Sequence, residues 1–138
     1  MSKIKIAFVG DIMTGDLFYN MGSGVRSNIK KYGKDFIDRE ICNVFKEHDL
    51  VFGNLESITS DKGINKSSLR SMSMRGEPYM AEMLYSWGIN IVSVANNHIL
   101  EHGYEAAADT VQMLKNASID VTGCGTDGIF NNEIGILK

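Results

Sequence analysis

Leu50-Val51-Phe52-Gly53-Asn54-Leu55-Glu56 is the stretch that decides the fold. A short apolar run closes at Gly53-Asn54 and is followed at once by an acid, the pattern of a short strand ending in a turn. The pattern recurs on both sides. Upstream, Ile4-Lys5-Ile6-Ala7-Phe8-Val9 runs into Gly10-Asp11 and reads as a buried strand that stops at a turn. Downstream, Ile89 to Ala95, broken only by Asn90 and Ser93, runs into Asn96-Asn97-His98, and Ile119 to Val121 runs into Gly123-Cys124-Gly125.

Helical patterns separate these runs. Residues 35–48 place Ile37, Ile41, Val44, Phe45 and His48 on one amphipathic face. Residues 77–87 have Pro78 for a first turn, Met80, Met83, Leu84 and Trp87 on one face, and Gly88 at the position that ends a helix. Residues 104–116 turn Ala107, Val111 and Leu114 inward. Strands alternating with helices predict an α/β fold with a largely parallel sheet and flanking helices. Residues 12–33, punctuated by Gly15, Gly22, Gly24 and Gly33, read mainly as loop. Residues 57–76 are serine-rich, and Lys62, Lys66, Arg70 and Arg75 outnumber Asp61. A loop of this length is either a solvated excursion or an element facing a substrate, with Lys66, Arg70 and Arg75 as the contact candidates.

The 138 residues carry 14 Lys+Arg against 17 Asp+Glu, a formal net charge of −3, which gives no support to a general nucleic-acid binder. At 43% hydrophobic and 22% charged the chain reads as one globular domain, without an internal repeat or a boundary. Cys42 and Cys124 are too few for a disulfide framework and form no CxxC pair. No window approaches the roughly 18 apolar residues of a membrane span. Met1-Ser2-Lys3 leads straight into a strand too short for a signal sequence, so the default location is cytoplasmic.

Polar chemistry collects where strands end. In a parallel sheet the carboxyl ends of strands share one edge, so Asp11, Asn54, Glu56, Asn97 and His98 are expected to converge. Carboxylates with an amide oxygen suit a divalent metal, and an unligated imidazole beside it can give a proton to a leaving oxygen. Each residue alone has a plainer reading, as a turn former, a cap or an exposed side chain. His48 reads as structural, and His102 as a surface residue with the site edge within reach. Asp16 stands either near Asp11 or on a local turn. There is no phosphate loop, no dinucleotide fingerprint and no GxSxG elbow.

Phe8-Val9-Gly10-Asp11-Ile12-Met13, Asp49-Leu50-Val51-Phe52-Gly53-Asn54-Leu55-Glu56 and Val94-Ala95-Asn96-Asn97-His98 with Gly103 resemble, in order and spacing, three motifs of the CapA family. The stretch from Thr110 through Leu114 to Thr122-Gly123-Cys124-Gly125 is similar to the helix, strand and turn that follow them. These are the poly-γ-glutamate capsule-biosynthesis proteins of the calcineurin-like metallophosphatase superfamily. The resemblance implies the N-terminal part of an α/β/β/α sandwich. It also implies divalent metal ions (Mn, Fe or Zn, two in a complete domain) held by Asp11, Glu56 and Asn97. Asn54 and Asn96 would support them, and His98 would be the catalytic residue beside the phosphate, as proton donor or charge stabiliser. The implied partner is an anionic polymer or a phosphoester, with association to the cell envelope.

Two departures stand out. Met13 occupies the place where ordinary phosphatases of the superfamily carry a histidine, and no histidine follows His102, although the family brings further ones later. The resemblance therefore predicts a domain truncated at its C-terminus, ending inside a strand at Glu133–Lys138. It further predicts an uncovered sheet that self-associates. The alternative function is a non-catalytic binding or assembly module with an incomplete metal site.

Overall fold

The structure, a computed structural model, describes residues 3–37 and 39–124. Strand β1 (Ile6–Ile12) is followed by helices α1 (Val25–Tyr32) and α2 (Arg39–Lys46), then by β2 (Leu50–Leu55). The short α3 (Leu69–Met72) and α4 (Met80–Trp87) precede β3 (Ile91–Ser93), and α5 (Tyr104–Asn116) precedes β4 (Asp120–Thr122). The four strands are parallel and stand in the order β1-β2-β3-β4, as the alternating pattern predicts.

That order places the core. Parallel crossovers are right-handed, and here each one steps the same way along the sheet, so the connecting helices fall on one face. Val51, Leu55 and Val92 of that face pack with Ala81 and Leu84 of α4 and with Ala107, Val111 and Leu114 of α5. The opposite face has no comparable cover among the described residues. Ile6 is 48% and Phe8 76% exposed, and the Phe8 ring lies 5.8 Å from that of Phe52.

β1 therefore corrects the expectation of a buried strand. Among the described residues it has one neighbour and one covered face, and Ala7, Val9 and Ile12 pack against the core. It also runs past Gly10-Asp11 instead of stopping there. A register shift between Phe8 and Asp11 inserts one residue, after which Asp11 pairs with Asn54 and Ile12 with Leu55. Such a bulge re-aims side chains, and here it sets Asp11 beside the end of β2.

Residues 12–33 hold a helix where loop was expected. Gly24 stands at the N-cap of α1 and supplies no side-chain cap. The cap comes from Asp16, whose Oδ1 accepts from the Ser27 amide at 3.1 Å and whose Oδ2 accepts from the Gly22 amide at 2.9 Å. At the other end Gly33, with φ +89°, donates to the Ile29 carbonyl at 2.8 Å. Of the two readings of Asp16, the structure supports the local, capping one.

The predicted helix at 35–48 is shorter, because a 3-10 turn at Lys34–Phe36 precedes α2; Val44 is exposed, whereas Phe45 packs against the core. Pro78 precedes α4 and lies outside its first turn, and Gly88 closes that helix at φ +105°. The helix predicted at 104–116 matches α5. Neither Cys42 nor Cys124 is in a disulfide. No helix among the described residues is long and apolar enough to cross a membrane. The strand expected at Glu133–Lys138 lies outside the described residues.

Residues 57–76 are a solvated excursion only at their middle. Ser57, Ile58, Thr59 and Ser60 at one end and Ser73, Met74 and Arg75 at the other are buried, and a bridge pairs Ile58 with Arg75. The loop after β1 locks onto both ends. Ser57 Oγ accepts from the Thr14 amide at 2.9 Å, and the Met74 amide donates to the Asp16 carbonyl at 2.7 Å. The chains approach so closely that a Cβ at Gly15 would stand 2.5 Å from the Arg75 nitrogen.

Candidate functional site

The ends of β1, β2 and the segment after β3 meet through one asparagine. Asn54 donates from Nδ2 to Asp11 Oδ1 at 2.8 Å and to Glu56 Oε2 at 2.6 Å. Ionised carboxylates only accept, so the amide nitrogen must face them, and Asn54 Oδ1 is left to accept from Asn96 Nδ2 at 3.1 Å. Asn96 is fixed in turn: Nδ2 also donates to the Leu55 carbonyl at 2.8 Å, and Oδ1 accepts from the amides of His98 and Ile99 at 3.0 Å each. The two supporting asparagines thus form the frame, binding the end of β2 to the turn that presents Asn97 and His98.

His98 stands at the edge of this frame. Its Nε2 lies 3.5 Å from Glu56 Oε1 and 3.1 Å from Asn97 Nδ2. Its Nδ1 lies 2.9 Å from Glu101 Oε2. Because that carboxylate is an acceptor, Nδ1 carries a proton and Nε2 is the nitrogen turned to the site. Glu101 is the residue that the sequence reading missed. The signal available was an acid three residues after His98 in a turn-forming stretch, within reach only once the turn is folded.

Asp11 and Asn97 are exposed, Glu56 and His98 half-buried. Asp11, Glu56, Asn54, Asn96, Asn97 and His98 therefore do come together. Among the described residues, however, no three His, Cys, Asp or Glu side chains form a group that could hold a metal ion. Two carboxylates and an imidazole stand close together here without forming such a group.

The loop candidates divide. Lys66 is exposed. Arg70 is exposed and lines a cavity of about 300 Å³ that reaches Glu101 and His102. Arg75 is 1% exposed, and its guanidinium points inward: Nε donates to the Ser71 carbonyl at 3.0 Å, and Nη1 to the carbonyls of Lys62, at 3.1 Å, and Ser60. Its charge is used to fold the loop. His102 is half-buried, not a surface residue, and its Nε2 contacts the Ser73 carbonyl at 2.9 Å. Burial and the nearby Arg75 charge push its pKa below the ordinary imidazole value. His48, two residues past the end of α2, has Nδ1 2.8 Å from the Val44 carbonyl of that helix, which fits the structural reading.

Residues 5–138 match the family described as bacterial capsule synthesis protein PGA_cap. Over 125 residues the sequence is 27% identical to the capsule biosynthesis protein CapA of Bacillus anthracis, covering 89% of this chain. It spans 29% of that relative's length. A match from the first strand onward, over the segments that build the sheet and its strand-end site, places the chain in the bacterial capsule synthesis protein PGA_cap family.

Proposed function

We propose that the strand-end cluster is part of a metal-dependent, phosphoester-hydrolase-type site that serves capsule synthesis, acting on a phosphoester or an anionic polymer. One observation carries this reading. Asp11 and Glu56, from different strands, meet on a single amide, with the imidazole of His98 3.5 Å from Glu56. A divalent Mn, Fe or Zn ion would be held by the carboxylates of Asp11 and Glu56 and the amide oxygen of Asn97. Such an ion, when bound, activates water and steadies the charge developing at phosphorus. As an imidazolium, protonated on both ring nitrogens, His98 would give the Nε2 proton to the leaving oxygen while Glu101 holds Nδ1. Calorimetry with Mn²⁺ tests the ligands: binding is lost in Asp11→Ala and Glu56→Ala, and mutants that bind as well as the parent overturn the assignment. On an aryl phosphate, metal-dependent turnover disappears in His98→Ala.

The absence of a ready group of three ligands among the described residues favours a second reading, a non-catalytic module that binds an anionic polymer. No turnover together with retained polymer binding would select it.

A further inference from the structure

The cavity beside Glu101 has a wall unlike the rest of the surface. Gly63, Ser68, Arg70, Ser71 and Arg75 from the loop meet Glu101 and His102 from the turn after His98 and line an open cleft of about 300 Å³. No apolar side chain lines it, so the hydrophobic effect offers nothing to an apolar ligand there. In contrast, the larger cavity between α2 and α4, about 550 Å³, is lined in part by Ile37, Met83 and Trp87.

Two hydroxyls of the smaller cavity accept from the backbone. Ser71 Oγ accepts from the Asn65 amide at 2.8 Å, and Ser68 Oγ accepts from the Ser71 amide at 3.3 Å. A hydroxyl that accepts from the backbone keeps its own proton to give. Arg70 adds an exposed guanidinium. Behind them the buried Arg75 contributes positive charge without extending into solvent, and that charge disfavours a proton on His102. The acid on the wall, Glu101, has its Oε2 against His98 Nδ1 at 2.9 Å.

We propose that this cavity is an anion subsite, which takes a carboxylate or phosphoryl group of the substrate next to His98 through Arg70 and the hydroxyls of Ser68 and Ser71. It deepens the proposed function by giving the substrate a second anchor beyond the strand-end cluster, and it rests on that reading for the identity of the substrate. The subsite itself needs no metal.

The test measures binding of a short glutamate oligomer to the full chain in EDTA. Arg70→Glu is expected to weaken binding by about tenfold or more, the loss of one charge-assisted hydrogen bond. Lys115→Glu, an equal change of charge at the end of α5, is expected to leave it within about twofold. Competition by inorganic phosphate identifies a phosphoryl source, and oligomer binding that phosphate fails to displace identifies a carboxylate source; both support an anion subsite. Wild-type affinity in Arg70→Glu, an equal loss in Lys115→Glu, or no binding of either anion to the parent overturns it. EDTA separates this result from the metal calorimetry, so either reading fails without the other.

Discussion

Two acids a few residues apart in sequence behave in opposite ways. Asp16 is 1% exposed and ringed by donors: the amides of Gly22 and Ser27 and the Ser27 hydroxyl. Asp11 is exposed, and among the described residues the donor to its carboxylate is the Asn54 side-chain amide, shared with Glu56. A carboxylate closed in on all sides spends its lone pairs on the fold. One held from a single side keeps lone pairs for something that arrives from outside. The same contrast runs along the sheet: helices pack over one face, and on the other Phe8 is exposed whereas Ile91, level with it across β2, is buried.

The sharpest way to break this comparison is to remove each acid. Asp16→Ala leaves buried donors unpaired and uncaps α1, so urea unfolding should report a loss of about 2–4 kcal/mol. Asp11→Ala should stay within about 0.5 kcal/mol, as exposed sites away from a packed network do. Equal losses would show that the two acids are not different in kind.

Next in size is Asn54→Ala, which removes the bridge between two carboxylates and a partner of Asn96; a loss of about 1–2 kcal/mol is expected, measured the same way. A change inside error would mean that the frame contributes nothing to stability, and that Asp11 and Glu56 are held by something else.

Smaller effects follow from pH. The His102 pKa lies below its ordinary 6.5 when folded, because burial and the Arg75 charge disfavour the proton. The unfolded chain then takes up a proton first, so stability falls as pH drops below about 6.5 and levels off beneath the folded value. Glu77 has the carboxylate sign. Burial raises its pKa, but hydrogen bonds and charge from Lys30 and Arg26 outweigh it, so the net value lies below the ordinary 4.5. Its contribution is present above about 4.5 and is lost as pH falls through the lowered value. Melting curves of His102→Gln should lack the first limb and keep the second.

The smallest expected effect on stability is at Phe8. Phe8→Asp should shift unfolding by no more than about 0.5 kcal/mol. In sedimentation it should reduce the concentration-dependent self-association that the bare sheet face predicts. Unchanged association would mean that this face is not the sticky one.

Much of this was legible in the residues. The apolar runs closing at Gly53-Asn54 and Ala95-Asn96 gave the strands, and the spacing of Ala107, Val111 and Leu114 gave α5, because local hydrophobic period is set by the geometry of each element. Strand polarity then told which residues share an edge, and Asp11, Glu56 and His98 do share it. Helix α1 was not legible, because its cap is Asp16, reached across the Gly22–Gly24 turn, and a window of neighbouring residues does not contain that contact. The inward turn of Arg75 was hidden for a similar reason: its acceptors are carbonyls of Ser60 and Lys62, brought near only when the ends of the loop close.

The sequence by itself determined the alternation of strands and helices, the parallel sheet and the identity of the strand-end acids, since these depend on patterns within single elements. Tertiary structure alone decided which acid stays open and which is sealed, that Asn54 bridges Asp11 to Glu56, that Glu101 orients His98, and that Phe8 stands exposed on the second face of the sheet. Each of those depends on where donors from distant segments come to rest, and distance through the fold is not encoded in distance along the chain.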